Sequence, residues 1–266
     1  MNMYWHELKS LRKSTILWTC AMISLAALYL SIYPSIASDA ADFRKLLSGY
    51  PPQIRAMLGI SLDSITSLLG FYSMTFSFIA LLGAIQAMNL GVSVLSKETR
   101  EKTADFLLTK HVSRRAIVTS KLLAALTMLI ITNIIYDAVA AAFANLVKTE
   151  DYRIRLFFMI NLTLFFVQLI FFTIGIALSV IIPKLKSVLP VSLGVVFGFF
   201  FIGALLASGE NDIARFFSPF KYFNSAYIIQ NSGYETPYLL TGAIVVILAI
   251  AATYMIYAKK DIHAAS

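Results

Sequence analysis

Charged side chains are scarce in this chain: Asp, Glu, Lys and Arg make up 14% of its 266 residues, where soluble domains carry about 25%. Too little polar surface is available to cover a globule in water, so a soluble enzyme is excluded, as is a disordered tail. The one cysteine, Cys20, lies in an apolar run and rules out an internal disulfide and a cysteine-rich metal site. Histidine occurs three times, as His6, His111 and His263, each outside the apolar runs. His6-Glu7 lacks the second histidine of a zincin motif, and neither G-x-x-x-x-G-K-[ST] nor G-x-G-x-x-G occurs. No catalytic residue and no metal ligand is therefore assigned, and ATP cannot be bound by a P-loop of this chain.

What the chain has instead is apolar length. Hydrophobic residues make up 59% and the mean hydropathy is +0.77. Six runs are long enough to cross a bilayer: 15–35, 67–94, 117–144, 156–182, 188–207 and 238–258. The expected fold is an all-α integral membrane protein forming a single transmembrane domain over 1–266. Basic residues precede the first run, and Ser35-Ile36-Ala37 resembles a signal-peptide cleavage site. Its apolar stretch exceeds the usual 7–15 residues of such a signal, so it reads as a retained anchor.

Charge decides the orientation. A net charge of +8 would suggest nucleic acid in a soluble protein, but in a membrane protein the position of each base matters more. With the N-terminus inside, the cytoplasmic segments 1–14, 95–121, 183–187 and 259–266 hold fourteen of the 22 basic residues and five of the 14 acids. Outer segments carry eight of each. Both termini are expected in the cytoplasm of a multi-pass cell-membrane protein, with the lipid bilayer and no nucleic acid as partner.

Segments flanking the runs are amphipathic. Tyr4, Trp5, Leu8 and Leu11 recur at helical spacing beside Lys9, Arg12 and Lys13, which predicts an interfacial helix over 1–14. Outside, Pro51-Pro52 divides two short amphipathic pieces within 36–66. The aromatic stretch Phe216–Phe223 within 208–237 suits a segment re-entering or lying on the outer leaflet.

Small residues mark faces for close packing: Gly83, Ala87 and Gly91 in the second run, Gly194 and Gly198 in the fifth. Asp137 is the only ionisable residue well inside a run, where an aspartate costs about 2.5–3.5 kcal/mol to insert. It reads either as a proton or substrate contact, or as a polar lock between helices or toward Lys148, Arg153 and Arg155; without a second buried charge the lock is preferred. Gln86, Asn89, Asn133, Asn161 and Gln168 read as helix-packing polar groups.

The loop between the second and third runs alternates charge and apolarity. Lys97 with Glu101, and Glu98 with Lys102, are i,i+4 pairs that extend a helix out of the membrane. Thr103 can cap a short helix with Asp105 in its first turn, and Ser113 can cap the next. Between these caps stand Phe106, Leu107 and Leu108, an apolar turn suited to docking another protein.

Glu98, Lys102-Thr103, Phe106-Leu107-Leu108-Thr109, Val112-Ser113-Arg114 and Lys121 together resemble the loop of type-2 ATP-binding-cassette (ABC) exporter permeases, whose pattern runs E, GT, LL, P-x-SR and K. Lys102 replaces the usual glycine and His111 the usual proline. Pro219-Phe220-Lys221-Tyr222-Phe223 is similar to the family's P-F-x-Y-F segment, and Lys259-Lys260-Asp261 follows the last run. The resemblance implies a membrane subunit that dimerises with an identical or related permease and rests on two separate ATPase subunits. It makes 103–109 a coupling helix, with Glu98, Thr103, Asp105, Phe106, Leu107, Leu108, Ser113 and Arg114 as the partner contact. ATP and Mg would be bound by the partner, leaving this chain without a cofactor. The expected cargo is amphipathic or hydrophobic: a peptide, lipid or drug. The rivals are a secondary transporter built on Asp137 and a non-transporting membrane scaffold or sensor.

Overall fold

The computed structural model describes residues 3–52, 54, 55, 60–62, 64–100, 113–182, 187–206 and 212–259. All regular structure there is helical: α1 (Met3–Ser38), α2 (Ala40–Ser48), α3 (Leu68–Arg100), α4 (Arg114–Val147), α5 (Ile154–Ile181), α6 (Val188–Leu206), two 3-10 turns (Asp212–Phe217 and Pro219–Lys221), α7 (Ser225–Asn231) and α8 (Thr236–Lys259). Six of these, α1, α3, α4, α5, α6 and α8, are long and apolar enough to cross a membrane. Their ends follow local chemistry. Ser113 Oγ accepts from Ala116 N at the start of α4, and Asn224 Oδ1 accepts from Ala226 N and Tyr227 N at the start of α7.

The N-terminal segment differs from expectation. It does not form a separate interfacial helix over 1–14 but runs without a break into the first span. Neither glycine nor proline occurs between Met3 and Tyr33 to interrupt it. At 1.5 Å per residue its 36 residues extend roughly 54 Å, well beyond a bilayer core of about 30 Å. The other end of the molecule is closer to what the sequence predicts. The aromatic stretch folds into the two 3-10 turns packed on α6. The first amphipathic piece before Pro51 is α2; the second falls largely outside the described residues.

Helices α1, α3, α4 and α5 make the core. In their most apolar stretches 61% of α3 and α5 is buried, against 17% of α6 and 11% of α8. The core has two halves. One is aromatic, built on Tyr33, Phe71, Tyr72, Phe76, Tyr136 and Phe157. The other, nearer the 101–112 loop, is built on smaller side chains such as Ala84, Ala87, Val92, Val118 and Ala125. Small residues there let α3 and α5 touch backbone to backbone. A Cβ at Gly91 would run into the Phe172 carbonyl, and one at Gly175 would lie 2.8 Å from the Met88 carbonyl.

Candidate functional site

Three sets of polar groups organise the molecule at different depths. The first holds the roots of the 101–112 loop. Lys121 Nζ donates to Glu7 Oε1 at 2.9 Å and to the Val94 carbonyl at 3.1 Å, joining α4 to α1 and α3. Both charged side chains are buried, Lys121 to 1% exposure. Lys97 Nζ donates to Ser10 Oγ at 2.8 Å and Tyr4 Oη meets Thr127 Oγ1 at 2.9 Å. Burial of an ion pair is costly unless each charge finds further partners, and here the Val94 carbonyl supplies one. Helices α3 and α4 therefore enter and leave the loop from a collar that includes the first turns of α1. Thr119 to Tyr254 at 2.8 Å brings α8 to the same end.

Of the predicted partner-contact residues, Thr103, Asp105, Phe106, Leu107 and Leu108 lie outside the described residues. Glu98 sits in the last turn of α3, Ser113 caps α4 and Arg114 is its first residue. These three thus flank the loop on its two helical roots.

The second set crosses the middle of the core. Thr19 Oγ1 on α1 donates to Thr132 Oγ1 on α4 at 3.2 Å, and Gln86 Nε2 on α3 donates to the same oxygen at 3.2 Å. Gln168 Nε2 on α5 donates to Gln86 Oε1 at 3.0 Å, and Asn133 Nδ2 donates to Gln168 Oε1 at 2.6 Å. One turn further along α4, Tyr136 Oη bonds Tyr72 Oη at 2.7 Å, and Tyr72 Oη donates to Asn161 Oδ1 at 2.6 Å. Gln86, Asn133, Asn161 and Gln168 are all buried, each tying one core helix to another. Buried amides and hydroxyls in a lipid-facing bundle must find each other, and such bonds fix the register of the helices. Asp137 lies beside this set on α4, part-buried, with its Oδ1 enclosed and unpartnered.

Of the predicted packing residues, Gly83, Ala87 and Gly91 line the contact with α5, where a Cβ at Gly83 would run into Leu164. At Gly194 and Gly198 on α6 a Cβ would meet nothing within 4 Å. The same spacing therefore marks a filled contact in one helix and an open face in the other.

The third set closes the opposite end. Arg215 Nη2 pairs with Glu235 Oε2 at 2.7 Å, and its guanidinium lies 4.0 Å over the Tyr238 ring. It also donates to the Lys221 carbonyl at 3.2 Å. Ser218 Oγ donates to the Phe199 carbonyl and Tyr222 Oη to the Phe216 carbonyl, both at 2.8 Å. Burial, and then the nearby Arg215 charge, hold Lys221 below its usual range, while burial pushes the Tyr234 hydroxyl up to about 12. Sequence reasoning found this segment by its aromatics but not its clamp, because Arg215 and Glu235 are twenty residues apart with no shared periodicity.

Among the described residues no three His, Cys, Asp or Glu side chains gather as metal ligands would. No curated protein is significantly similar to the chain. The model of one protein family, described as ABC-2 family transporter protein, matches residues 1–262, nearly the whole length and all six candidate spans. Members of this family form the multi-pass membrane-spanning part of ABC transporters and associate with an ABC ATPase. This match, over nearly the whole length of a six-span helical bundle, makes the chain a member of the ABC-2 transporter family, whose members are membrane-spanning subunits.

Proposed function

We propose that this chain is the permease of an ATP-driven exporter, paired with an identical or related permease and resting on two ATPase copies that bind ATP and Mg. The loop and both termini face the cytoplasm in this reading, as the excess of basic residues at that end supports. Residues 103–109 dock on the ATPase through Phe106, Leu107 and Leu108, with Glu98, Thr103, Asp105, Ser113 and Arg114 as polar contacts. Its cargo is an amphipathic or hydrophobic peptide, lipid or drug, in keeping with the apolar faces of the spans.

The observation that carries this proposal is the collar. A chain without a P-loop must receive work through an interface, and a short docked helix can deliver it only where its roots are held. Lys121 with Glu7 and Val94, and Lys97 with Ser10, hold them to three helices. Displacing 103–109 would then tilt α1, α3 and α4 together. Shifting such a bundle from 1:99 to 99:1 needs about 5.5 kcal/mol of differential binding between its two states. Apolar anchors in a desolvated groove contribute on that scale, at about 2 kcal/mol or more each.

The test is ATP hydrolysis by the partner ATPase, with and without this chain in lipid vesicles. Hydrolysis is expected to depend on the chain and to lose that dependence with Leu107→Asp. An unchanged rate in the variant overturns the proposed role of the loop.

A further inference from the structure

Asn133 and Asp137 stand one turn apart on α4, and each keeps one enclosed oxygen without a hydrogen-bond partner: Oδ1 in both cases. The orientation of Asn133 is fixed. Its Nδ2 donates to the Leu129 carbonyl at 2.8 Å and to Gln168 Oε1 at 2.6 Å. A backbone carbonyl can only accept, so the amide nitrogen must face it and the oxygen must turn away. Gln168 cannot exchange its ends freely either, since its Nε2 is engaged by Gln86 Oε1. Asn133 Oδ1 is therefore an acceptor by necessity.

Asp137 supplies no donor while it is ionised, because a carboxylate only accepts. Helical side chains lean back over the preceding turn, which carries the Asp137 carboxyl toward Asn133, with the two Cβ atoms about 5–6 Å apart. Tyr136 on the same helix and Tyr72 on α3 are the titratable groups near enough to feel its charge, and their hydroxyls are bonded to each other. The polar groups that α1 and α5 bring to this part of the core are Thr19, Asn161 and Gln168, none of them cationic. Among the described residues no lysine, arginine or histidine forms an ion pair with Asp137.

Asn161 Nδ2, an enclosed donor of the same set, bonds to neither oxygen, and two neighbouring acceptors left in this way are satisfied by one hydrogen. We infer that Asp137 and Asn133 form a one-proton site inside the membrane: the Asp137 carboxyl is protonated at neutral pH and donates its O–H to Asn133 Oδ1. The proton completes the chain of bonds that runs from Asn133 through Gln168, Gln86 and Thr132 to Thr19. The inference stands on α4 and its neighbours alone and does not depend on the ATPase or on the direction of transport.

The experiment is infrared difference spectroscopy on the full chain in lipid vesicles at pH 7, wild type against Asp137→Asn. The expected result is loss of a carbonyl stretch of a protonated carboxylic acid, one that moves on exchange into heavy water, and displacement of the same band in Asn133→Ala. If Asn133→Ala does not fold, as judged by gel filtration, Asn133→Ser gives the same reading. Loss of carboxylate bands in Asp137→Asn, the mark of an ionised side chain awaiting a cationic ligand, overturns the inference. So does a protonated band that neither Asn133 variant displaces, since the proton then has another acceptor.

Discussion

The crossing of α3 with α5 and the outward face of α6 carry the same small-residue spacing, yet they meet different surroundings. At Gly91 and Gly175 two backbones touch, and a single added carbon would strike a carbonyl. At Gly194 and Gly198 there is open space, on a helix whose Phe201 and Leu205 are also exposed. Spacing of small residues thus records that a helix can be approached closely, without recording whether the approaching partner belongs to the same chain. Apolar exposure of this kind in a spanning helix is met by lipid or by a second subunit, and the proposed permease dimer is the natural occupant of the α6 face.

This contrast can be broken experimentally. The largest effect is expected inside the core, where Lys121→Met removes one half of a buried ion pair and strands Glu7. Such a loss costs about 3–5 kcal/mol, read as a fall in the unfolding midpoint of the detergent-solubilised protein. Adding Glu7→Gln should restore much of that loss, since no unpaired charge then remains buried. Gly91→Ala comes next: backbone faces it on α5 and cannot swing aside, so overpacking should cost about 1–3 kcal/mol in the same assay. Gly194→Leu with Gly198→Leu should leave the unfolding midpoint within about 0.5 kcal/mol of wild type, while removing the dimer from cross-linking in vesicles. Equal destabilisation by the α3 and α6 substitutions would mean that the two faces do not differ as described.

The smallest effect concerns the exposed pair after α4. Lys148 Nζ lies 2.7 Å from Asp151 Oδ1, and this hydrogen bond holds the Asp151 carboxyl below its usual range and Lys148 above its own. Any stability from Asp151 is present above the ordinary carboxylate range and disappears as pH falls through its lowered value. That from Lys148 is present below the ordinary lysine range and disappears as pH rises through its raised value. Between the two the contribution is constant, and solvent screening keeps it slight. Lys148→Met should therefore return the Asp151 titration, followed by NMR, to the usual range without a resolvable change in the unfolding midpoint.

Six spans were legible in the sequence because lipid imposes one requirement, an apolar length, and each run meets it without help from its neighbours. The polar amides were legible as helix contacts for a related reason: an amide in lipid must bond to something. What could not be read was pairing across the chain. Glu7 and Lys121 look like solvated charges in two cytoplasmic segments, and only the packing of α1 on α4 shows that they bury each other. The continuity of α1 escaped for the same cause. An amphipathic stretch before a span can lie on the interface or stand upright, and the choice is made by the far helix that receives its polar side. The loop residues 103–109 remain as the sequence presents them.

The Glu7–Lys121 joint also sets an order of events during synthesis. Glu7 leaves the ribosome 114 residues before the lysine that neutralises it, so the first helix must wait in the translocation machinery or at the lipid surface with its carboxylate still hydrated. Only when α4 arrives can the early segment straighten against it. The N-terminal turns, made first, thus reach their final place only after the third span has emerged.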